Sequence, residues 1–278
     1  MKDIYYVNNR GVKLDLLKTP YLLQTAELFD YEWKYESVES SAVSGRITSF
    51  AKEITERPFT LSILNYSRES YEAAINRFFE TVEYDVLNKT PGKLYIGNQY
   101  QRCYFIASEK TGWEYDIELL DVDGTYVAER PFWITEQNYT FNPSSGEPMG
   151  EYLDFLFDVP FDLTGDAAGI GNIQIDHYAT CNFLLTVYGP CTNPRISIGG
   201  NIYEIETKLD TGEYLQIDSL AGTAIRTKVG GQRVNELNNR AKEYELFSLI
   251  QPGYNVVSWD GSFGFDLVIY IERSEPEW

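Results

Sequence analysis

Ser262-Phe263-Gly264-Phe265-Asp266-Leu267-Val268-Ile269-Tyr270-Ile271-Glu272 is the stretch whose reading decides the fold class. Phe263, Phe265, Leu267, Ile269 and Ile271 stand at alternate positions, the period of two that puts one side of a strand on a core. The run predicts a long strand across a sandwich core. The same signature recurs toward the N-terminus. Trp113-Glu114-Tyr115-Asp116-Ile117-Glu118-Leu119 alternates apolar and acidic residues, and Asp123-Gly124 then predicts a hairpin turn into Thr125-Tyr126-Val127-Ala128. Gly97-Asn98 separates Leu94-Tyr95-Ile96 from Cys103-Tyr104-Phe105-Ile106. Gly199-Gly200-Asn201 separates Ile196-Ser197-Ile198 from Ile202-Tyr203-Glu204-Ile205. The expected fold is therefore mainly β, made of β-sandwich domains.

One segment breaks this period. Tyr71, Ala74, Ile75, Phe78, Phe79 and Val82 fall at the spacing of one helix face, which predicts a helix near residues 67–86 with Ser67 as N-cap. Its stripe is too bulky for a free-standing helix, so it is expected to lie on a sheet. Asn88-Lys89-Thr90-Pro91-Gly92 ends it with turn chemistry. The densest Pro/Gly/Ser cluster, Asn142-Pro143-Ser144-Ser145-Gly146-Glu147-Pro148, is the expected seam between an N-terminal domain, 1–142, and a C-terminal one, 143–278. Residues 163–172 read as a loop. Residues 222–242 read as polar and turn-rich, with a short helical turn around Val234–Asn239. There is no internal repeat.

Composition excludes several functions. The 278 residues carry 23 Lys/Arg against 42 Asp/Glu, a net charge of −19, with −7 on residues 1–142 and −12 on 143–278. Such a surface repels phosphate and anionic lipid, which argues against nucleic-acid capture and membrane docking. No apolar run reaches 18 residues, so no transmembrane helix is expected, and the start Met1-Lys2-Asp3-Ile4-Tyr5-Tyr6-Val7 does not read as a signal peptide. Cys103, Cys181 and Cys191 form no Cys-x-x-Cys pair and are expected as free buried thiols. Tyr, at 22 residues, suits half-buried strands and interfaces.

Chemistry is scarce. His177 is the one histidine, in the strand-like Ile173-Gln174-Ile175-Asp176-His177-Tyr178. Cys181 is four residues on, more than about 10 Å along a strand, so the two do not make a nucleophile and its base. One histidine also argues against a zinc site. Asp121-Val122-Asp123-Gly124 resembles the opening of a calcium loop, but the twelfth position is Phe132 where a Glu is required. Gly165, Gly169 and Gly171 do not form the phosphate-cradling pattern and read as loop glycines. Among 42 acids, chance pairs at glycosidase spacing are expected. Trp259 has two readings, a ring capping the sandwich core beside Asp260-Gly261, which we favour, or a platform for sugar contact. Catalytic residues, metal ligands and cofactors are all expected to be absent.

The opening resembles the distal tail (Dit) proteins of long-tailed, siphovirus-type phages and prophages of Gram-positive bacteria. The residues that carry the likeness are Ile4-Tyr5-Tyr6-Val7-Asn8-Asn9-Arg10-Gly11, Leu14-Asp15-Leu16, Leu28-Phe29-Asp30-Tyr31-Glu32-Trp33, Arg57-Pro58-Phe59-Thr60-Leu61 and Gly92-Lys93-Leu94-Tyr95. The second half is similar to the family's C-terminal domain at residues 188–194, 212–218 and 257–266, and at the ending Arg273-Ser274-Glu275-Pro276-Glu277-Trp278. The resemblance implies a ring-forming N-terminal β domain with one packed helix and a galectin-like C-terminal β-sandwich. It implies a hexameric homo-oligomer at the distal end of the virion tail, assembled in the host cytoplasm around a channel that DNA passes through. It implies the major tail tube protein, a tail-associated tip protein and receptor-binding or baseplate proteins as partners. A second reading is a carbohydrate-binding baseplate adhesin for host cell-wall sugars. Galectin likeness is one of fold and carries no sugar site by itself.

A ring subunit needs contacts that close by rotation. Residues 38–56 are small and polar and then Arg46-Ile47-Thr48-Ser49-Phe50, with no helical stripe. Ser44, Arg46, Ile47, Phe50 and Arg57 are the candidate subunit-interface residues on this reading. The segment is either a belt against the next subunit or an ordinary internal hairpin. The acidic balance further suggests an electronegative lumen to which DNA does not adhere.

Overall fold

A computed structural model describes residues 2–40, 43–64, 68–111, 119–144 and 169–277. It divides into two compact units, Met1–Thr135 with Glu272–Trp278, and Glu136–Ile271. The first contains β1 Ile4–Val7, β2 Lys13–Asp15, β3 Leu17–Lys18, β4 Tyr21–Ala26, β5 Lys34–Ser40, β6 Val43–Ala51, β7 Thr55–Leu64, α1 Arg68–Asn88, β8 Gly92–Ile96, β9 Gln99–Thr111 and β10 Leu119–Ala128. β11 Trp133–Phe141 leads into the second unit. There follow β12 Gly169–Ile175, β13 Asn182–Tyr188, β14 Cys191–Thr192, β15 Arg195–Ile198, β16 Asn201–Glu204, β17 Lys208–Leu209, β18 Tyr214–Asp218, β19 Thr223–Thr227, β20 Arg233–Asn235, β21 Gly253–Trp259 and β22 Phe265–Arg273.

In the first unit β9, β10, β7, β4 and β3 are successive neighbours, all antiparallel where register is defined, while β8 joins β9 to β1 and β1 joins β2. The helix lies on this sheet, as its stripe requires. Ala74, Phe78 and Val82 are buried, and Tyr71, Ile75 and Phe79 are partly buried against the same core. Phe105 is the meeting point of that core. The rings of Tyr6 and Phe59 each stand edge-on to it at 4.9 Å, with Phe78 and Tyr126 at 6.2 Å. The far end of the helix is tied down by a buried carboxylate. Asp85 accepts hydrogen bonds from the Tyr6 hydroxyl, from the Asn9 backbone N–H at 3.0 Å and from the Asn9 amide at 3.2 Å. Burial above all pushes the Tyr6 phenol far above its usual value, so it remains a donor throughout the working pH range.

The second unit is a sandwich. One sheet has the order β20-β19-β18-β13-β22 and the other β12-β21-β15-β16. The opening stretch behaves as its alternation demands, with Phe263, Phe265, Leu267, Ile269 and Ile271 all buried in the core between the sheets. Phe265 stacks on Phe141 at 4.6 Å and meets the edge of Trp259 at 5.1 Å. The Gly97-Asn98 and Gly199-Gly200 hairpins form where expected, and the two glycines of the latter both take positive φ, +56° and +89°.

Three expectations are corrected. Asp123-Gly124 is not a turn. It lies inside β10, which runs unbroken between β7 and β9. A Cβ on Gly124 would stand 2.2 Å from Cζ of Phe59, its cross-strand partner, so the glycine makes room for a core ring. Residues 169–172 are likewise strand, not loop. They pair with β21, and Gly169 lies under the Trp259 ring. Residues 222–242 hold β19 and β20 besides a helical turn, which falls at Leu237–Asn239. The Trp113–Glu118 alternation, the Ser67 cap, residues 163–168 and the Ser145–Pro148 part of the expected seam lie outside the described residues. The units divide between Thr135 and Glu136, and the C-terminal segment returns to the first unit, which nothing in the sequence signals.

Replacing Gly124 by Val forces a branched side chain into the Phe59 ring, an overpacking that costs roughly 1–3 kcal/mol. The expected outcome is a lowered urea midpoint with unchanged m-value. A midpoint equal to the parent's would show that Phe59 has another place to go.

Candidate functional site

Among the described residues β5 and β6 pair only with each other. A two-stranded ribbon has no second layer of its own and is marginal in water unless something covers it. Every residue of this ribbon whose side chain is described is exposed, and both strands carry large apolar groups. Register decides how these are arranged. Tyr35 faces Phe50, Glu36 faces Ser49, and Ser37 faces Ile47, so Thr48 is left as a bulge. Without it Ile47 and Phe50, three residues apart, would point to opposite faces. With it Tyr35, Ile47 and Phe50 share one face, at 62%, 48% and 62% exposure. The other face carries Lys34, Glu36, Val38, Arg46 and Ser49. The arm is thus apolar on one side and mostly polar on the other. Of the candidate interface residues, Ile47 and Phe50 lie together on the apolar face and Arg46 on the opposite one. Ser44 is placed in β6, and its side chain lies outside the described residues.

Arg57 is elsewhere. It is buried in the first unit, where Nη1 donates to the Glu27 carbonyl at 2.7 Å and Nη2 to that of Asp30. The Tyr126 hydroxyl also donates to Glu27 O, at 2.9 Å, and Trp133 Nε1 to Leu28 O, at 3.2 Å. Sequence reading grouped Arg57 with the candidate subunit-interface residues, and in the fold its contacts anchor the segment that enters the arm. The exit is anchored by Lys52. Its Nζ donates to the Pro131 carbonyl at 3.0 Å and lies 4.5 Å from the Phe132 ring and 5.3 Å from those of Tyr31 and Trp33. Burial, with Arg57 close by, brings the Lys52 ammonium down to about 8.

The face of the sheet turned away from α1 is a second surface. Alternation in β10 buries Leu120, Val122 and Tyr126 and sends Asp121, Asp123 and Thr125 the other way. Cross-strand pairing adds Thr60 and Ser62 from β7 and Glu109 from β9 to that face. Thr60 Oγ1 donates to Asp123 at 2.8 Å, and Ser62 Oγ to Asp121. Asp123 and Glu109 are direct cross-strand partners, a like-charge pairing that costs stability rather than adding it. The i, i+2 spacing of Asp121 and Asp123 was the sequence signal for this face, masked by reading the second as a turn residue.

The other candidates are accounted for within the fold. Trp259 is buried and its Nε1 donates to Phe263 O at 2.9 Å, so the ring belongs to the core. His177 follows β12, half-buried, its ring 4.2 Å from that of Tyr178. Cys103 and Cys181 are buried and Cys191 half-buried, all three as free thiols, and burial pushes Cys191 up to about 11. Glu213 and Glu236 are buried carboxylates that share Arg226, 3.6 and 2.8 Å away. Among the described residues no group of three His, Cys, Asp or Glu is placed to hold a metal ion.

No protein-family model and no curated protein sequence matches the chain. Solved structures do. The Dit protein of phage SPP1, described as a paradigm of the hub adsorption apparatus in Gram-positive infecting phages, is 10% identical with a TM-score of 0.59, covering 98% of this chain and 99% of its own. The phage P2 baseplate in its activated conformation with calcium matches at 14% identity and TM-score 0.63, over 99% of both chains. Its strontium counterpart matches at 14% and 0.65, over 99% of this chain and 100% of that one. The chain therefore has the fold of these phage hub and baseplate proteins along almost its whole length. At such identities the likeness is one of fold.

Lys52 supplies a test of the arm's root. Its folded pKa is depressed, so between about 8 and the unfolded value near 10.4 the unfolded chain binds more protons, and stability attributable to Lys52 rises with pH there. Urea midpoints of the parent are expected to gain on those of Lys52→Met as pH goes from 7.5 to 9.5. A constant difference between the two across that range would rule out a depressed pKa for the half-buried Lys52 ammonium.

Proposed function

We propose that this protein is a structural subunit of a phage tail tip, a Dit-type hub whose copies close into a hexameric ring between the tail tube and the receptor-binding apparatus. The observation that carries the proposal is the arm: an exposed ribbon, rigidly rooted, with Tyr35, Ile47 and Phe50 uncovered on one face. An apolar face of this kind marks a protein interaction site. The whole-length likeness to hub and baseplate folds supports placing that site in a tail assembly. Each arm lies against the next copy, and the contact is head-to-tail, which closes into a ring when the rotation per copy divides a full turn.

The acidic face of β7, β9 and β10 lines the channel in this reading. Carboxylates at Asp121, Asp123 and Glu109 repel the phosphate backbone of DNA in transit, so the strand passes without adhering. The partners are the major tail tube protein on one side, and a tail-associated tip protein and receptor-binding or baseplate proteins on the other. The location is the distal tail of the virion, after assembly in the cytoplasm of a Gram-positive host. The adhesin reading has no specific observation in its favour, since Trp259, its candidate ring, is buried.

Light scattering on the purified chain is expected to give six copies, and negative-stain images a hollow six-fold ring. The double change Ile47→Ser and Phe50→Ser removes roughly 2 kcal/mol per truncated side chain from each interface, and is expected to give monomers. A monomeric parent, or a ring indifferent to the double change, would overturn the arm's role. A ring lumen lined by basic residues would sink the channel assignment.

A further inference from the structure

Lys18, Lys34 and Lys208 each pair with a carboxylate, at 3.0, 2.6 and 2.9 Å, which favours the charged ammonium. Lys52 is held differently. Among the described residues no carboxylate pairs with it. Its Nζ donates to the Pro131 carbonyl at 3.0 Å, and the rings of Phe132, Tyr31 and Trp33 stand 4.5, 5.3 and 5.3 Å away. Trp33 also meets the edge of Phe132 at 5.9 Å, so the cage holds together through its own rings. Arg130 lies 5.8 Å from the Phe132 ring as well, but it is paired with Glu272 at 3.0 Å. The parts of the cage come from three places in the chain. Tyr31 and Trp33 stand shortly before β5, Lys52 just after β6, and Pro131 and Phe132 just before β11. Lys52 therefore clasps the two ends of the arm to each other and to the unit that carries it.

Three rings and one carbonyl restore only part of the water shell that an ammonium loses on burial, and Arg57 adds like-charge repulsion. A desolvated lysine beside another cation is an activated nucleophile, because the neutral amine is the form that reacts. With the ammonium brought down to about 8, roughly a quarter of it is neutral at pH 7.5, against about one part in a thousand for an ordinary lysine. Solvent reaches the site, since Lys52 is half-buried and Tyr31 and Trp33 are exposed. We infer that Lys52 is an acylation site that releases the arm: Nζ takes the acyl group of a small acyl phosphate, and the amide formed no longer clasps the arm's two ends. The Nζ lone pair attacks the acyl carbon, the carbon–oxygen bond to phosphate breaks, and inorganic phosphate leaves with that electron pair. The surplus proton on Nζ goes to water, and nothing is oxidised or reduced. The product is neutral, so its attraction to the three rings is lost. This inference goes beyond the ring reading and does not rest on it.

The test treats the purified chain with limiting acetyl phosphate at pH 7.5 and follows each lysine by mass spectrometry of its peptides. Lys52 is expected to react about tenfold faster, or more, than the exposed Lys89 and Lys242. Trp33→Ala opens the cage to water at an exposed position, with the fold checked by circular dichroism, and is expected to cut that lead about threefold or more. The same measurements in an Ile47→Ser, Phe50→Ser background tell protection by a neighbouring copy apart from an unreactive amine. Reaction at Lys52 no faster than at Lys89 in both backgrounds, or a lead indifferent to Trp33→Ala, would overturn the site. Release of the arm is read separately from Lys52→Gln, which places a neutral amide there. Limited thermolysin digestion in the Ile47→Ser, Phe50→Ser background is expected to cut this variant within residues 34–51 about fivefold faster than the same background with Lys52 intact. Equal rates would overturn the release.

Discussion

One helix covers one face of one sheet, and most of what the first unit presents to its surroundings follows from that. The stripe on α1 lies against the side of β7, β9 and β10 that carries Phe59, Phe105 and Val122, with the Phe105 ring at the centre. The opposite face carries Asp121, Asp123, Glu109, Thr60 and Ser62, with no second layer over it among the described residues of the unit. The helix does not extend over the whole near face either. Where it leaves β9 uncovered, the core comes to the surface as a groove with Val86 and Ile106 at its border. The acidic face and the apolar slot are both products of the same incomplete coverage.

The arm is uncovered for a different reason. Among the described residues β5 and β6 pair with no further strand, so no neighbouring strand there buries their apolar groups. Its root nonetheless holds it, through four hydrogen bonds to the Glu27–Asp30 carbonyls and through Lys52 among three rings. Fixing the root of an element whose tip is exposed reduces the ordering cost of binding, because little freedom remains to be lost. The fold around the arm is the one shared with phage hub and baseplate proteins.

Much of the fold was legible because it is local. Alternation from Phe263 to Ile271 and the 3.6-residue stripe from Tyr71 to Val82 each report burial within one element, and both faces are buried as read. Glycine was where local reading failed. Gly124 and Gly169 carry turn chemistry in sequence, yet each occupies a strand because a ring from another strand, Phe59 or Trp259, lies where a Cβ would be. No window around the glycine contains the ring that requires it. The candidate interface divided in the same way. Ile47 and Phe50 are exposed together on the arm, whereas Arg57, a strand residue a few positions on in the chain, turns inward to carbonyls 27–30 residues away in sequence.

By itself the sequence determined the class of structure, the position of α1, the hairpins at Gly97 and Gly199, and a supply of one histidine and no Cys-x-x-Cys pair. These depend on residue type and on spacings of two to four, which survive without any knowledge of neighbours. Tertiary structure alone decided which apolar residues remain uncovered. Whether Phe50 is core or surface depends on what packs against it, and whether Ile47 joins it depends on a bulge at Thr48 that only pairing with β5 creates. The acidic face likewise exists only because strands distant in sequence align Asp121, Asp123 and Glu109 side by side.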